Sequence, residues 1–274
     1  MQISSPTILD KKYIKLVLQI SLSEISFCIM DTLSNKIETI GNYPIKKSNN
    51  FIDIEEEIIN FIKNTPILQS KFDSILVLHN NNLSAFVPHV LFDEQYLGSY
   101  LQYNIKVFET DFITFDKIPN YDMNSVYIPY VNINNSLIDI YGSFDYKHSY
   151  SILVKKVLDL SKNKEEPQVF IHCQNDNFQI IVVKNQELIL FNSFEYKTKE
   201  DFIYFLLFTV EQLQLNPETL QLKIFGEITK ESETYQIAYK YIRNVSLFFE
   251  NNDLESKISQ QDYLQNFILI HACE

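Results

Sequence analysis

His172 and Asp176 lie four residues apart, with Cys173 between them, and these are the side-chain types of an acid–base pair and a thiolate nucleophile. General acid–base work needs the two groups within hydrogen-bond reach, and a reactive thiolate needs a base or a positive local field. Neighbours on a strand point to opposite faces, so His172 and Cys173 cannot share a site. Asn175-Asp176-Asn177 reads as a hairpin turn, which leaves His172 as a strand-end residue. The other histidines are His79, His89, His148 and His271. None is spaced from a His or Cys as zinc ligands are, and His148-Ser149 reads as the start of a helix. Gly226-Glu227 closes an apolar strand ahead of a helix, where α/β folds bind ligands. The simpler reading is a turn that needs a small residue.

Glycine and arginine are scarce, and that removes several chemistries. The 274 residues include four glycines, Gly41, Gly98, Gly142 and Gly226, and one arginine, Arg243. Average usage would give roughly 19 glycines. No Walker loop, dinucleotide glycine motif or nucleophile elbow is present. An AT-rich coding sequence favouring Lys, Asn, Ile, Tyr and Phe accounts for both shortages. The net charge of −12 argues against direct nucleic-acid binding, which rests on a basic stripe. The Lys pairs at 11–12, 46–47 and 155–156 read as solvated surface. Cys28, Cys173 and Cys273 are widely spaced and read as reduced, buried thiols. The first residues have no signal-peptide pattern, and Phe202–Val210, the most apolar stretch, is too short to span a bilayer. The expected place is the cytoplasm, away from membranes.

The elements that must position these residues form a block that occurs twice. Tyr13–Ile20, Glu24–Asp31 and Lys36–Tyr43 read as three strands, followed by a helix from Phe51 and a strand Phe72–His79. Gln168–Cys173, Asn177–Lys184 and Glu187–Tyr196 repeat the pattern, with a helix from Lys199 and a strand Leu220–Gly226. The first helix carries Ile54, Ile58, Phe61 and Ile62 on one face. The second is apolar nearly all round, which predicts a buried helix. Asn50 with Asp53, and Thr198 with Asp201, are spaced as N-cap pairs. Between the blocks, a helix over 91–103 and a strand over 105–112 are expected. Residues 114–165 read as an insertion that breaks the repeat, and 162–167 as a linker. The division expected is a first lobe over 1–165 and a second over 166–274. Residues 1–12 read as a lead-in and 251–253 as a turn.

Paired βββαβ halves resemble the actin-like ATPase fold of actin, Hsp70 chaperones and sugar kinases, built from duplicated ribonuclease H-like βββαβα units. The chain is similar, more specifically, to the uncharacterised Bacteroidetes family called domain of unknown function 3822. That resemblance is carried by Ser84–Pro88 with Leu91-Phe92, by Val126–Pro129, by His148–Leu153, and by the second block from Val169 to Gly226. It implies a mixed α/β actin-like fold and no established activity.

Working members of the superfamily place an Asp-x-Gly turn at each phosphate-facing hairpin. Here the two hairpins read Gln19–Glu24 and Cys173–Asn177. Neither has a glycine, the first has no Asp, and of the usual glycine pair on the adenosine side only Gly226 stands. Without glycine, backbone N–H groups cannot closely approach a triphosphate, and without the carboxylate the metal lacks its anchor. No catalytic residue and no metal ligand carries over. Ser21, Ser23, Asn175, Asp176 and Gly226 are the positions of a vestigial cleft. The expectation is a degenerate, non-catalytic protein without a cofactor, a pseudo-enzyme that acts through a protein partner, with a homodimer left open. The alternatives are a divergent nucleotide-binding ATPase using Mg²⁺–ATP at those five positions, and an accessory subunit of a housekeeping or RNA-modification enzyme.

Overall fold

The computed structural model describes residues 13–46, 48, 50–249 and 258–273. The lead-in 1–12 and the turn 251–253 lie outside them. The first half runs β1 (Ile14–Ile20), β2 (Glu24–Asp31), β3 (Lys36–Pro44), α1 (Phe51–Asn64) and β4 (Ser74–His79). Next come β5 (Ser84–Pro88), α2 (Leu97–Leu101), β6 (Thr114–Lys117), β7 (Met123–Tyr127), α3 (Val131–Tyr141), β8 (Asp145–His148) and α4 (Ser149–Leu160). The second half runs β9 (Gln168–Cys173), β10 (Asn177–Lys184), β11 (Glu187–Glu195), α5 (Lys199–Gln212), β12 (Gln221–Gly226), α6 (Glu233–Tyr241) and β13 (Asn244–Leu247), and α7 (Gln260–Gln265) and α8 (Phe267–Cys273) follow.

Two five-stranded sheets share one order, β3-β2-β1-β4-β8 and β11-β10-β9-β12-β13. Antiparallel hairpins form the first three strands of each, and a parallel crossover through a 14-residue helix brings in the fourth. The duplication reaches single residues. Ser21 N donates to Glu24 O and Gln174 N to Asn177 O, both at 2.9 Å. A bulge falls between Ile29 and Met30 in one half and between Val182 and Val183 in the other.

Contacts divide the chain into two compact units, one holding the described residues of Met1–His79 with Tyr130–Lys147 and Cys273, the other holding Asn80–Pro129 and His148–Ala272. The sequence repeat places its seam after residue 165, and the packing does not follow that seam. The repeat also extends further than the sequence suggests. α3 and β8 take the places of α6 and β13, so the extra segment is Asn80–Pro129 rather than 114–165. It forms the three-stranded sheet β5-β7-β6 around Val87, Leu101 and Val126.

In the first unit, Leu16, Leu18, Ile25 and Val77 pack under Ile54, Ile58 and Ile62 of α1 and Ile133 and Leu137 of α3. Asn50 caps α1 by accepting from Ile52 N. In the second, Val169, Ile171, Phe178 and Ile224 pack under Phe202, Leu206 and Val210 of α5 and Ala238 of α6. Thr198 and Asp201 form a full capping box. α5 is not buried all round, because Tyr204 and Phe208 are exposed and stack on each other. The other face of the second sheet, with Phe170, His172 and Phe225, lies under Phe248 and Phe267.

The segment 91–103 is a helix only at Leu97–Leu101. Before it, Asp93 caps a short 3₁₀ turn, and Tyr100 Oη donates to Leu91 O while accepting from Asp93 N. These local bonds satisfy backbone groups that a longer helix would otherwise use. The 105–112 segment forms no strand. All three cysteines are buried and free, with the Cys28 and Cys273 thiols 3.0 Å apart.

Candidate functional site

The β1–β2 turn is closed by one hydroxyl. Ser21 Oγ accepts from Ser23 N at 3.3 Å and Glu24 N at 2.9 Å, and donates to Glu24 O at 3.0 Å. Ser23 Oγ lies 3.2 Å from it. With Ser21 N bonded to Glu24 O, three of the turn's N–H groups are spent inside it. Leu22, at its tip, is an exposed apolar side chain.

The β9–β10 turn has the same backbone closure but different side chains. Tyr196 N donates to Asp176 O at 3.0 Å, matching Ile45 N on Ser23 O at 2.8 Å. Tyr196 Oη donates to Gln174 O at 3.0 Å. Asp176 Oδ1 accepts from Asn177 Nδ2 at 3.0 Å and is not bonded to His172. Asn175 stands at the position matching Leu22. Gly226 ends β12 with φ +96°, opposite Cys173. A Cβ there would sit 2.1 Å from Cys173 O, so this glycine is required by the close approach of β12 to β9. Its counterpart in the first half, paired with Ile20, is His79.

His172 is buried and bonded through Nδ1 to Gln179 Oε1 at 2.7 Å. An amide oxygen only accepts, so Nδ1 carries the proton. Burial pushes its pKa down to about 4, with Gln179 opposing. Burial raises the Cys173 thiol well above its ordinary range. Gln179 Nε2 contacts Tyr150 Oη, Asn177 Oδ1 and Ser193 Oγ. His148, expected at a helix start, caps α4 by accepting from Tyr150 N at 3.2 Å. Asp116 Oδ2 accepts from His148 N at 2.8 Å and Ser151 Oγ at 2.6 Å. These buried polar groups fasten the 80–129 segment to α4.

A groove in the second unit was missed by the sequence reading. It has a volume of about 980 Å³ and is lined by residues 186–193 of β11 and its preceding turn, and by Ser84, Ala85, Phe86 and Pro88 of β5. Tyr150 and Tyr121 also line it. Tyr121 Oη donates to Asp159 Oδ1 at 2.6 Å and accepts from Gln186 Nε2 at 3.0 Å. Desolvation, then Asp159, raises its pKa to about 12. The lining carries the carboxylates of Asp122 and Glu187 and no Lys or Arg. The available signal was the run Leu188-Ile189-Leu190-Phe191 between the turn and Asn192.

The two matched halves define an actin-like ATPase fold. A Bacteroides thetaiotaomicron protein of that fold and of unknown function superposes with a TM-score of 0.79 at 18% identity, over 88% of this chain and 94% of that one. The PilM–PilN type IV pilus biogenesis complex aligns at TM-score 0.59 and 10% identity, over 94% and 98%. The family described as "Protein of unknown function (DUF3822)" matches residues 4–245, and the chain belongs to it. No curated protein matches the chain. Among the described residues, no helix is long and apolar enough to cross a membrane.

Proposed function

We propose that this protein is a cytoplasmic, non-hydrolysing member of the actin-like class that works by binding another protein. The observation that carries this reading is the β1–β2 turn. The N–H groups of Ser21, Ser23 and Glu24 close on the turn itself, whereas a phosphate cradle needs such groups free and pointing outward. The turn has no carboxylate before Glu24, whose side chain accepts from Ser26 Oγ. Leu22 presents an apolar tip that suits a protein surface better than a triphosphate. In the second half, the close approach to Cys173 already accounts for Gly226. Ser21 and Ser23 in the first unit, and Asn175, Asp176 and Gly226 in the second, are thus each taken up by local structure. Mg²⁺–ATP does not fit the donors they offer. The likeness to PilM, solved as a complex with PilN, agrees with a role in protein assembly.

The test is a thermal melt with millimolar Mg²⁺–ATP and Mg²⁺–ADP. A ligand at about 100 times Kd adds roughly 2.7 kcal/mol, which moves the midpoint of a chain this size by several degrees. An unchanged midpoint is expected. A clear rise would overturn the reading in favour of a divergent nucleotide binder.

A further inference from the structure

We propose that the free edge of β11 takes up an extended segment of a partner protein as an added β-strand, with apolar residues in alternation and Lys or Arg at its flanks. The proposal rests on the protein-binding reading above and names the place and chemistry of the contact. Successive side chains of a strand point to opposite faces. Eight consecutive residues, 186–193, can therefore line one groove only if it runs along the strand's edge, where the backbone is presented. Among the described residues, β11 is the end strand of its sheet, and β5, across the groove, is the end strand of another. End strands present backbone donors and acceptors, the template that strand addition uses. Along β11, Ser193 N is already bonded to Asn192 Oδ1 at 2.9 Å, and the Phe86 and Phe191 rings meet across the groove at 4.9 Å. Among the described residues, the Ser84 hydroxyl is buried there without a partner.

The matching edge of the first half is protected. β3 carries Lys36, Glu38 and Pro44, and its bulged residue is Glu38. Charges, prolines and bulges are how natural sheets blunt an edge. β11 keeps the bulge but places Ile189 there, within the run Leu188-Ile189-Leu190-Phe191. Ile189 is 42% exposed. Both edges carry charges near their ends, Glu187 and Glu195 on β11 and Lys36 on β3, but β11 has an apolar bulge and lacks the proline that ends β3, and this contrast marks the middle of β11 as the place where a strand is received.

Charge selects the occupant. Asp122 and Glu187 line the groove with no basic residue, and the chain carries −12 overall. Antiparallel pairing of two copies of β11 about Phe191 would set Glu187 opposite Glu195, and like charges directly opposite destabilise a pair. A basic-flanked segment meets the opposite situation.

The experiment is fluorescence anisotropy with the full chain and labelled nine-residue probes alternating Val and Thr, flanked by Lys. The Lys-flanked probe is expected to bind at least about tenfold more tightly than its Glu-flanked counterpart, a difference of about 1.4 kcal/mol. N-methylation of the alternation whose N–H groups face β11 should abolish binding, and N-methylation of the other, which faces β5, should weaken it less. Ile189→Lys, an exposed change, should weaken binding about tenfold or more without altering the melt. No binding of the Lys-flanked probe at millimolar concentration, or equal binding of both N-methylated probes, would overturn the proposal. So would a dimer in sedimentation that Ile189→Lys dissolves, which would give the edge to a second copy. A midpoint rise with Mg²⁺–ATP would overturn the earlier reading alone, and probe failure would overturn this one alone.

Discussion

The two five-stranded sheets match in strand order, turn closure and bulge position, and differ in what fills three equivalent places. At the first turn one half uses the Ser21 hydroxyl where the other relies on backbone and Tyr196 Oη. At the end of the fourth strand one half has buried His79 and the other Gly226. At the outer edge one half has Glu38 and the other Ile189. The backbone skeleton tolerates wide change in side chains, and what persists is the hydrogen bonding that fixes the register. The differences mark where each half has been fitted to its own surroundings.

The strand-end difference gives the largest expected effect. Gly226→Ala drives a Cβ into the Cys173 carbonyl at a left-handed φ and should cost about 4 kcal/mol in urea unfolding. Gly142→Ala, at φ +77° and ψ −125° with open space around it, should cost about 2 kcal/mol from backbone strain alone. Equal costs would break the claim that close approach, and not φ alone, fixes Gly226.

Acid provides the next contrast. Burial lowers both His79 and His172 from 6.5 to about 4, with Asn134 and Gln179 respectively opposing. The unfolded chain takes up protons on these rings first. Their contribution is full above pH 6.5, falls as pH drops, and is gone below about 4. Each should remove roughly 3 kcal/mol across that window. Denaturant titrations at pH 7 and 4.5 measure it. His79→Gln should flatten only its own share, leaving that of His172 in the second half.

The turn difference is the smallest. Ser21→Ala leaves two N–H groups without their acceptor and should cost about 1–2 kcal/mol. Asp176→Ala removes only an exposed contact with Asn177 and should stay within about 0.5 kcal/mol. A reversed order would show that side-chain closure is not peculiar to the first half.

Much of this skeleton is legible in the sequence. Period-two alternation and capping residues locate β1 to β4 and β9 to β12, and Thr198 with Asp201 marks the start of α5 correctly. β2 is harder to read, because Cys28 and Met30 on its second face are buried as well. Short elements mislead more. β8 has four residues, too few for alternation to register its kinship with β13. The apolar run of α5 suggests burial on every side, whereas Tyr204 and Phe208 shelter against each other at the surface. The five candidate positions are readable as two turns and a strand end, because each is local. The groove is not, since it exists only where 84–88 is folded beside 186–193, and no short window contains both.

Among the described residues, the boundaries at 79/80, 129/130, 147/148 and 272/273 mean that the chain passes between its two units four times. β8 completes the first sheet only after the whole of Asn80–Pro129 has been made. During synthesis the first unit therefore waits, with its sheet open beside β4, for one strand, β8, encoded far downstream. Such long-range closure is slow and leaves apolar surface uncovered meanwhile. The chain should thus lean on chaperones while on the ribosome more than its size suggests. Residues 1–165 hold every described strand and helix of the first unit and leave out only Cys273, whereas they carry just part of the second.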